Sequence, residues 1–96
     1  MIALIATIRT KPGTDAEFEA AFLELARVVK AVEPGNLLYQ LAKSRTEENT
    51  YKVMELYKDE EALAVHGKSD EFRAAGAKMG PSMAGRPEVE RLDAIS

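Results

Sequence analysis

The chain of 96 residues has no cysteine, no tryptophan and a single histidine. The lack of cysteine excludes disulfides, thiolate metal sites, iron–sulfur clusters and cysteine nucleophiles. It fits a reducing compartment, and the cytoplasm is the expected location. Basic charge is also scarce: 13 Lys and Arg stand against 16 Asp and Glu, for a net charge of −3. Neither nucleic acid nor a membrane surface is therefore expected as a partner, since both select a concentrated basic face. No apolar run approaches the roughly 20 residues of a membrane span. The opening M-I-A-L-I-A-T-I lacks a basic n-region and reads as a strand rather than a signal peptide. No glycine-rich loop offers a seat for phosphates. One histidine and no cysteine leave only Glu55 with His66, short of the three or four ligands a metal needs, so neither metal nor cofactor is expected. Ser69 lies one helical turn from His66 without a nucleophile-elbow context, so no Ser-His-Asp triad assembles.

What is present is an ordinary globular composition, 46% hydrophobic and 30% charged, and a length that makes residues 1–96 one domain. Residues 2–8 are almost continuously apolar, as in a strand buried on both faces. Lys11-Pro12-Gly13 is a turn in which Gly supplies φ > 0. Thr14-Asp15-Ala16-Glu17 matches a capping box, with Thr14 as N-cap and Glu17 reaching back. Phe18, Phe22, Leu25, Val29 and Val32 then share one stripe of a helix over 15–32, which Glu33-Pro34-Gly35 ends. Residues 37–42 form a second strand, and the polar run 44–50 is a hairpin loop with Asn49 in its tight part. Residues 51–57 alternate as a third strand. A second helix starts at an Asp59 N-cap, carries Glu60 and Glu61 in its first turn, and frays near Gly76. Lys78 to Pro87 has two Gly and two Pro and reads as a flexible apolar lip carrying Met79 and Met83. Residues 88–95 are a last, weaker strand.

The order β-α-β-β-α-β is that of the α+β, ferredoxin-like fold, a four-stranded antiparallel sheet with two helices on one face. Two helices cover one side of a sheet, yet the first two strands are apolar on both. A homodimer through the open sheet face is therefore expected.

The stretch from Tyr51 to Phe72 concentrates the candidate chemistry. Tyr51, Val53, Glu55 and Tyr57 point to one side of the third strand. Ala62, Val65, His66, Ser69, Phe72 and Arg73 share a helix face. Folding this helix onto its strand brings His66 toward Glu55 and Tyr57. His66 is the candidate general base, because its ordinary pKa near 6.5 suits proton abstraction at neutral pH. A structural histidine on an apolar face is the plainer reading. Glu55 needs a partner if buried. It either orients the imidazole as a triad carboxylate does, or pairs with His66 or Arg73 to hold the helix to the sheet. Tyr57 and Tyr51 are donors for a substrate oxygen, against a core-filling role that suits Tyr51 better. Asn36 donates to a substrate carbonyl or stabilises its turn. Phe72, Met79 and Met83 line a pocket wall, and Arg86 and Lys78 stand at its mouth or are simply solvated.

Together these residues resemble the antibiotic biosynthesis monooxygenase (ABM) domain family of the dimeric α+β barrel superfamily. The resemblance covers nearly the whole chain. It rests on Glu33-Pro34-Gly35-Asn36 at the helix-to-strand junction, Glu55-x-Tyr57-x-Asp59, Glu61-Ala62, and His66-x-x-Ser69. It implies a small-molecule substrate and, from the family's quinol-oxidising members, a cofactor-independent monooxygenase acting on a small quinol-like aromatic with O2. Other members imply two alternatives. One is an isomerase of a phosphorylated hydroxyketone resembling autoinducer-2 phosphate. The other is a non-catalytic dimeric ligand-binding or stress-related module. The family's frequent third-strand Trp is Tyr57 here. Haem-degrading members use an Asn, Trp and His arrangement that a chain without Trp does not match.

Overall fold

A computed structural model describes residues 1–96. Its elements are β1 (Ile2–Arg9), α1 (Asp15–Val32), β2 (Asn36–Lys43), β3 (Thr50–Tyr57), α2 (Glu60–Lys68), α3 (Asp70–Gly76), a 3₁₀ segment (Ala77–Ser82) and β4 (Glu88–Asp93). The four strands form one sheet in the order β2-β3-β1-β4, every neighbouring pair antiparallel. This is the ferredoxin-like arrangement read from the sequence. β1 is an interior strand flanked by β3 and β4; Leu4, Ala6 and Ile8 of its apolar run face the helices, and Ala3 and Ile5 lie on the opposite, uncovered face.

Period-two alternation sorts the side chains. Leu4, Ala6 and Ile8 of β1, Tyr51, Val53, Glu55 and Tyr57 of β3, and Tyr39 of β2 face the helices and are buried. Phe18, Phe22, Leu25, Ala26 and Val29 of α1 close the core from above. Phe22 stacks on Tyr39 with ring centroids 5.4 Å apart, and Phe18 lies 4.7 Å from Tyr51. On the other side of the sheet, register brings Leu38 opposite Leu56, Leu56 and Leu92 opposite Ala3, and Met54 opposite Ile5. No helix covers that face. Leu38, Met54 and Leu92 remain 43%, 38% and 38% exposed.

Four local expectations need correction. Thr14 does not close a capping box; its hydroxyl donates to the Lys11 carbonyl at 2.6 Å and leaves the α1 amides without a side-chain cap. The second helix is two helices. Ser69 has extended backbone (φ −69°, ψ 121°), ends α2, and caps α3 by accepting from the Phe72 N–H at 3.1 Å. Val65 and Arg73 lie outside the buried face. The Gly- and Pro-containing segment is not a loose lip. Met79 is in the core, and backbone bonds from Lys11 to Ser82 and from Ala84 to Arg9 tie the segment to the end of β1. The last strand stops at Asp93, leaving Ile95 exposed. The tight positions behave as expected: Gly13 and Asn49 have φ of +81° and +55°.

Candidate active site

His66 is buried in the last turn of α2, aimed at the sheet. Three aromatic rings hold it: Phe72 at 4.1 Å, Tyr57 at 5.3 Å and Tyr39 at 5.8 Å between centroids. The Ser69 break makes the first of these contacts, because it restarts the chain as α3 and turns Phe72 back over the imidazole.

Two buried carboxylates flank the ring. Nδ1 lies 2.8 and 3.0 Å from the two oxygens of Glu33. Nε2 faces Glu55 Oε1 at 3.9 Å, beyond hydrogen-bonding reach. Glu55 in turn accepts from the Tyr57 hydroxyl at 2.8 Å. The residue at the hydrogen-bonding nitrogen is thus Glu33, not Glu55. When the ring is neutral, a hydrogen bond from Nδ1–H into Glu33 leaves the lone pair on Nε2. That lone pair points into the space beside Glu55.

Burial pushes the Glu55 carboxyl up, against the lowering effect of the Tyr57 hydrogen bond and of His66, and the nearby Glu33 adds to the rise. Burial also raises the phenols of Tyr57 and Tyr39, and the Glu55 charge beside each raises them further. Both hydroxyls therefore stay protonated as donors throughout the working pH range.

Glu33 terminates α1 and is held there by its own backbone, whose N–H bonds the Val29 carbonyl. The following turn brings Gly35 against α2 so closely that a Cβ on it would lie 2.4 Å from Ala62 Cβ. Gly35 also accepts from the Lys58 N–H at 3.0 Å. Glycine is required here by the approach of two backbones. One helical turn separates Ala62 from His66, so the contact that seats the turn against α2 also sets the Glu33–His66 distance.

His66 and Glu55 open onto a cavity of about 240 Å³ between the sheet and the helices. Its wall is mostly apolar, with Phe22, Leu25, Tyr39, Val53, Phe72 and Met79 among the lining residues, and Pro87 and Val89 stand toward β4. Of the residues singled out from the sequence, the structure brings together His66, Glu55, Phe72 and Met79 on this wall, with Tyr57 behind Glu55. Tyr51 sits elsewhere in the core and donates to Glu19. Asn36 donates to the Leu38 carbonyl at 3.1 Å, as a turn-holding side chain does. Met83 packs against the core edge, Arg86 is exposed, and Lys78 pairs with Glu24 on the surface. None of these five lines the cavity. No group of three or more His, Asp or Glu side chains is placed to hold a metal ion.

The sequence reading missed Glu33 and Tyr39. Glu33 carried a signal, since it opens the Glu-Pro-Gly-Asn run, but that run reads locally as a helix stop. Tyr39 reads as core.

Comparison with known proteins agrees with this architecture. Residues 1–78 match the family model described as antibiotic biosynthesis monooxygenase. The Bacillus subtilis (strain 168) protein named "Putative monooxygenase YcnE" is 37% identical over 78 residues, 81% of each chain. A crystal structure from Caulobacter crescentus CB15, described as a "putative antibiotic biosynthesis monooxygenase", is 56% identical, with a TM-score of 0.93, over 99% of this chain and 90% of that one. SnoaB, a cofactor-independent oxygenase from Streptomyces nogalater, shares the fold at a TM-score of 0.84 and 20% identity, over 99% of this chain and 93% of its own. With four antiparallel strands, the helices on one face and the family match across most of its length, the chain belongs to the antibiotic biosynthesis monooxygenase family.

Proposed function

We propose that this chain is a cofactor-independent monooxygenase that oxidises a small quinol-like aromatic with O2. One observation carries the reading: a histidine whose Nδ1 is held by buried Glu33 while its Nε2 faces an apolar cavity. Nε2 takes the proton of a phenolic hydroxyl, and Glu33 stabilises the imidazolium that results. The O–H electron pair stays on the substrate as an electron-rich phenolate. In a cavity poor in water that anion gives electrons to O2, and a C–O bond forms at a ring carbon. The O–O bond of the resulting hydroperoxide then breaks as the ring C–H proton leaves. His66 returns its proton to the peroxide, Glu55 protonates the oxygen that departs as water and then takes up the ring C–H proton, and the other oxygen remains as a carbonyl. One quinol and one O2 thus give one hydroxylated quinone and one water. Glu55, raised by burial and held in place by the Tyr57 hydroxyl, is the acid of this second half.

The working unit we propose is a homodimer in the cytoplasm. The open sheet face with Leu38, Met54, Leu56 and Leu92 supports the dimer, since a second copy is the simplest cover for it. No helix is long and apolar enough to cross a membrane.

Oxygen uptake by purified protein with a panel of small hydroquinones tests the reaction. Uptake above the spontaneous rate is expected, abolished by His66→Ala and reduced about 10²- to 10⁴-fold by Glu33→Gln, as for loss of a triad carboxylate. Wild-type rates in Glu33→Gln would remove Glu33 from the mechanism. No uptake with any quinol would remove the oxygenase reading for simple quinols.

A further inference from the structure

The chain has three tyrosines, all buried and all on the helix side of the sheet. Two of their hydroxyls are committed: Tyr51 donates to Glu19 and Tyr57 donates to Glu55. Tyr39 makes no side-chain hydrogen bond to any residue. Yet no buried side-chain nitrogen or oxygen lacks a partner. The Tyr39 hydroxyl is therefore not sealed among apolar atoms; it opens onto free space.

Its surroundings say which space. Tyr39 lies opposite Glu55 in the β2–β3 register and lines the cavity with Glu55 and His66. Its ring is clamped by Phe22 on one side and tilts toward the imidazole on the other. Tyr39 also borders a shallow groove beside Glu19 and Lys30. After burial, however, the charges that act on its phenol are those of Glu55 and Glu33, the two carboxylates of the site. With the ring 5.8 Å from the imidazole and the strand register opposite Glu55, the hydroxyl looks inward. A clamped ring with a free O–H at the cavity wall is a pre-positioned donor, and it costs little entropy to use.

We propose that Tyr39 is a ligand-binding residue that donates its hydroxyl hydrogen to the oxyanion of a bound phenolic ligand. The group it serves is the oxygen from which His66 removes the proton. Two carboxylates stand near that oxygen, and an anion formed there needs a donor that is neither of them. Tyr39 supplies it and remains protonated while doing so. This role rests on the phenol-binding reading of the cavity given above, but not on any reaction with O2.

The test is the ionisation of a coloured phenol, 4-nitrophenol, bound to the intact protein and followed by absorbance across pH. Tyr39→Phe keeps the ring that stacks on Phe22 and removes only the hydroxyl, and thermal unfolding checks that it folds. Bound 4-nitrophenol is expected to ionise at a higher pH in Tyr39→Phe than in the wild type, by about one pH unit, a tenfold loss of preference for the phenolate. Phenolate affinity is expected to fall by the same factor while affinity for the neutral phenol, measured at low pH, is kept. Identical titrations in the two proteins would overturn the proposal, and so would a wild type that binds no phenol. A probe that discriminates in a protein inactive toward every quinol would instead uphold Tyr39 and refute the oxygenase reaction.

Discussion

Replacing Gly35 with alanine is expected to destabilise this protein, and to do the opposite once Ala62 is glycine. The added methyl would stand 2.4 Å from Ala62 Cβ and 3.4 Å from Ala62 Cα. Carbon atoms settle about 3.5–4.0 Å apart, so the turn and α2 would have to separate by more than an ångström. Overpacking of this kind costs about 1–3 kcal/mol. Gly35 does not have positive φ, so alanine meets no backbone strain. By restricting the unfolded chain it should return about 0.4–1 kcal/mol. The net loss is then of the order of 0–2.5 kcal/mol, and at about 4–8 °C per kcal/mol for a domain of this size the melting temperature should fall measurably. Ala62→Gly alone is costly, removing a buried methyl and a helix former for roughly 1–2 kcal/mol together. In that background, however, the methyl of Gly35→Ala meets only the residue-62 Cα at 3.4 Å and the Lys58 Cε at 3.7 Å, ordinary contacts, and should stabilise by about 0.4–1 kcal/mol. A double-mutant cycle by thermal and urea unfolding reads this sign reversal directly. The same destabilised Gly35→Ala in both backgrounds would refute the close-approach argument. A second readout is the Glu33–His66 bond. Its Nδ1 proton signal should be lost in Gly35→Ala and restored in the double variant, because α2 carries both Ala62 and His66.

Two further outcomes follow from burial. Glu55 has a raised carboxyl in the folded state, so between its ordinary value of 4.5 and the raised one the native protein holds more protons than the unfolded chain, and stability falls as pH rises through that window. Glu55→Gln keeps an acceptor for Tyr57 and should flatten this slope and raise the neutral-pH melting temperature while lowering turnover; an unchanged pH profile of stability would refute it. Met54→Lys places a charge in the middle of the uncovered sheet face opposite Ile5. It should convert a dimer to a monomer in analytical ultracentrifugation with oxygen uptake impaired, whereas an unchanged mass would show that this face is not the interface.

Much of the fold was legible because its signals are local. The α1 stripe of Phe18, Phe22, Leu25 and Val29, the Pro34 stop and the alternation of β3 each follow from the geometry of one element. The site was legible only on the elements that carry it. His66 and Glu55 could be brought near each other because a strand and the helix after it fold back in one way. The pairing of Glu33 with His66 spans 33 residues and depends on where the end of α1 meets α2, which Gly35 decides through space. The break at Ser69 did leave a trace. Ser69-Asp70-Glu71 repeats the pattern of Asp59-Glu60-Glu61, a capping residue followed by two acids. An apolar periodicity running through both masked the second start. Tyr39 gave no sign, since whether a buried phenol is spent or free depends on what surrounds its oxygen.

The joint at Ser69 separates two kinds of change available to this protein. His66, Glu55 and Glu33 sit on α2, β3 and the end of α1, whereas Phe72 and Met79, which shape the cavity, sit on α3 and the 3₁₀ segment beyond the joint. Substitutions past Ser69 can resize the chamber while the Glu33–His66 pair keeps its geometry. On the reading proposed above, a lineage built this way exchanges one aromatic compound for another while the Glu33–His66 pair stays as it is.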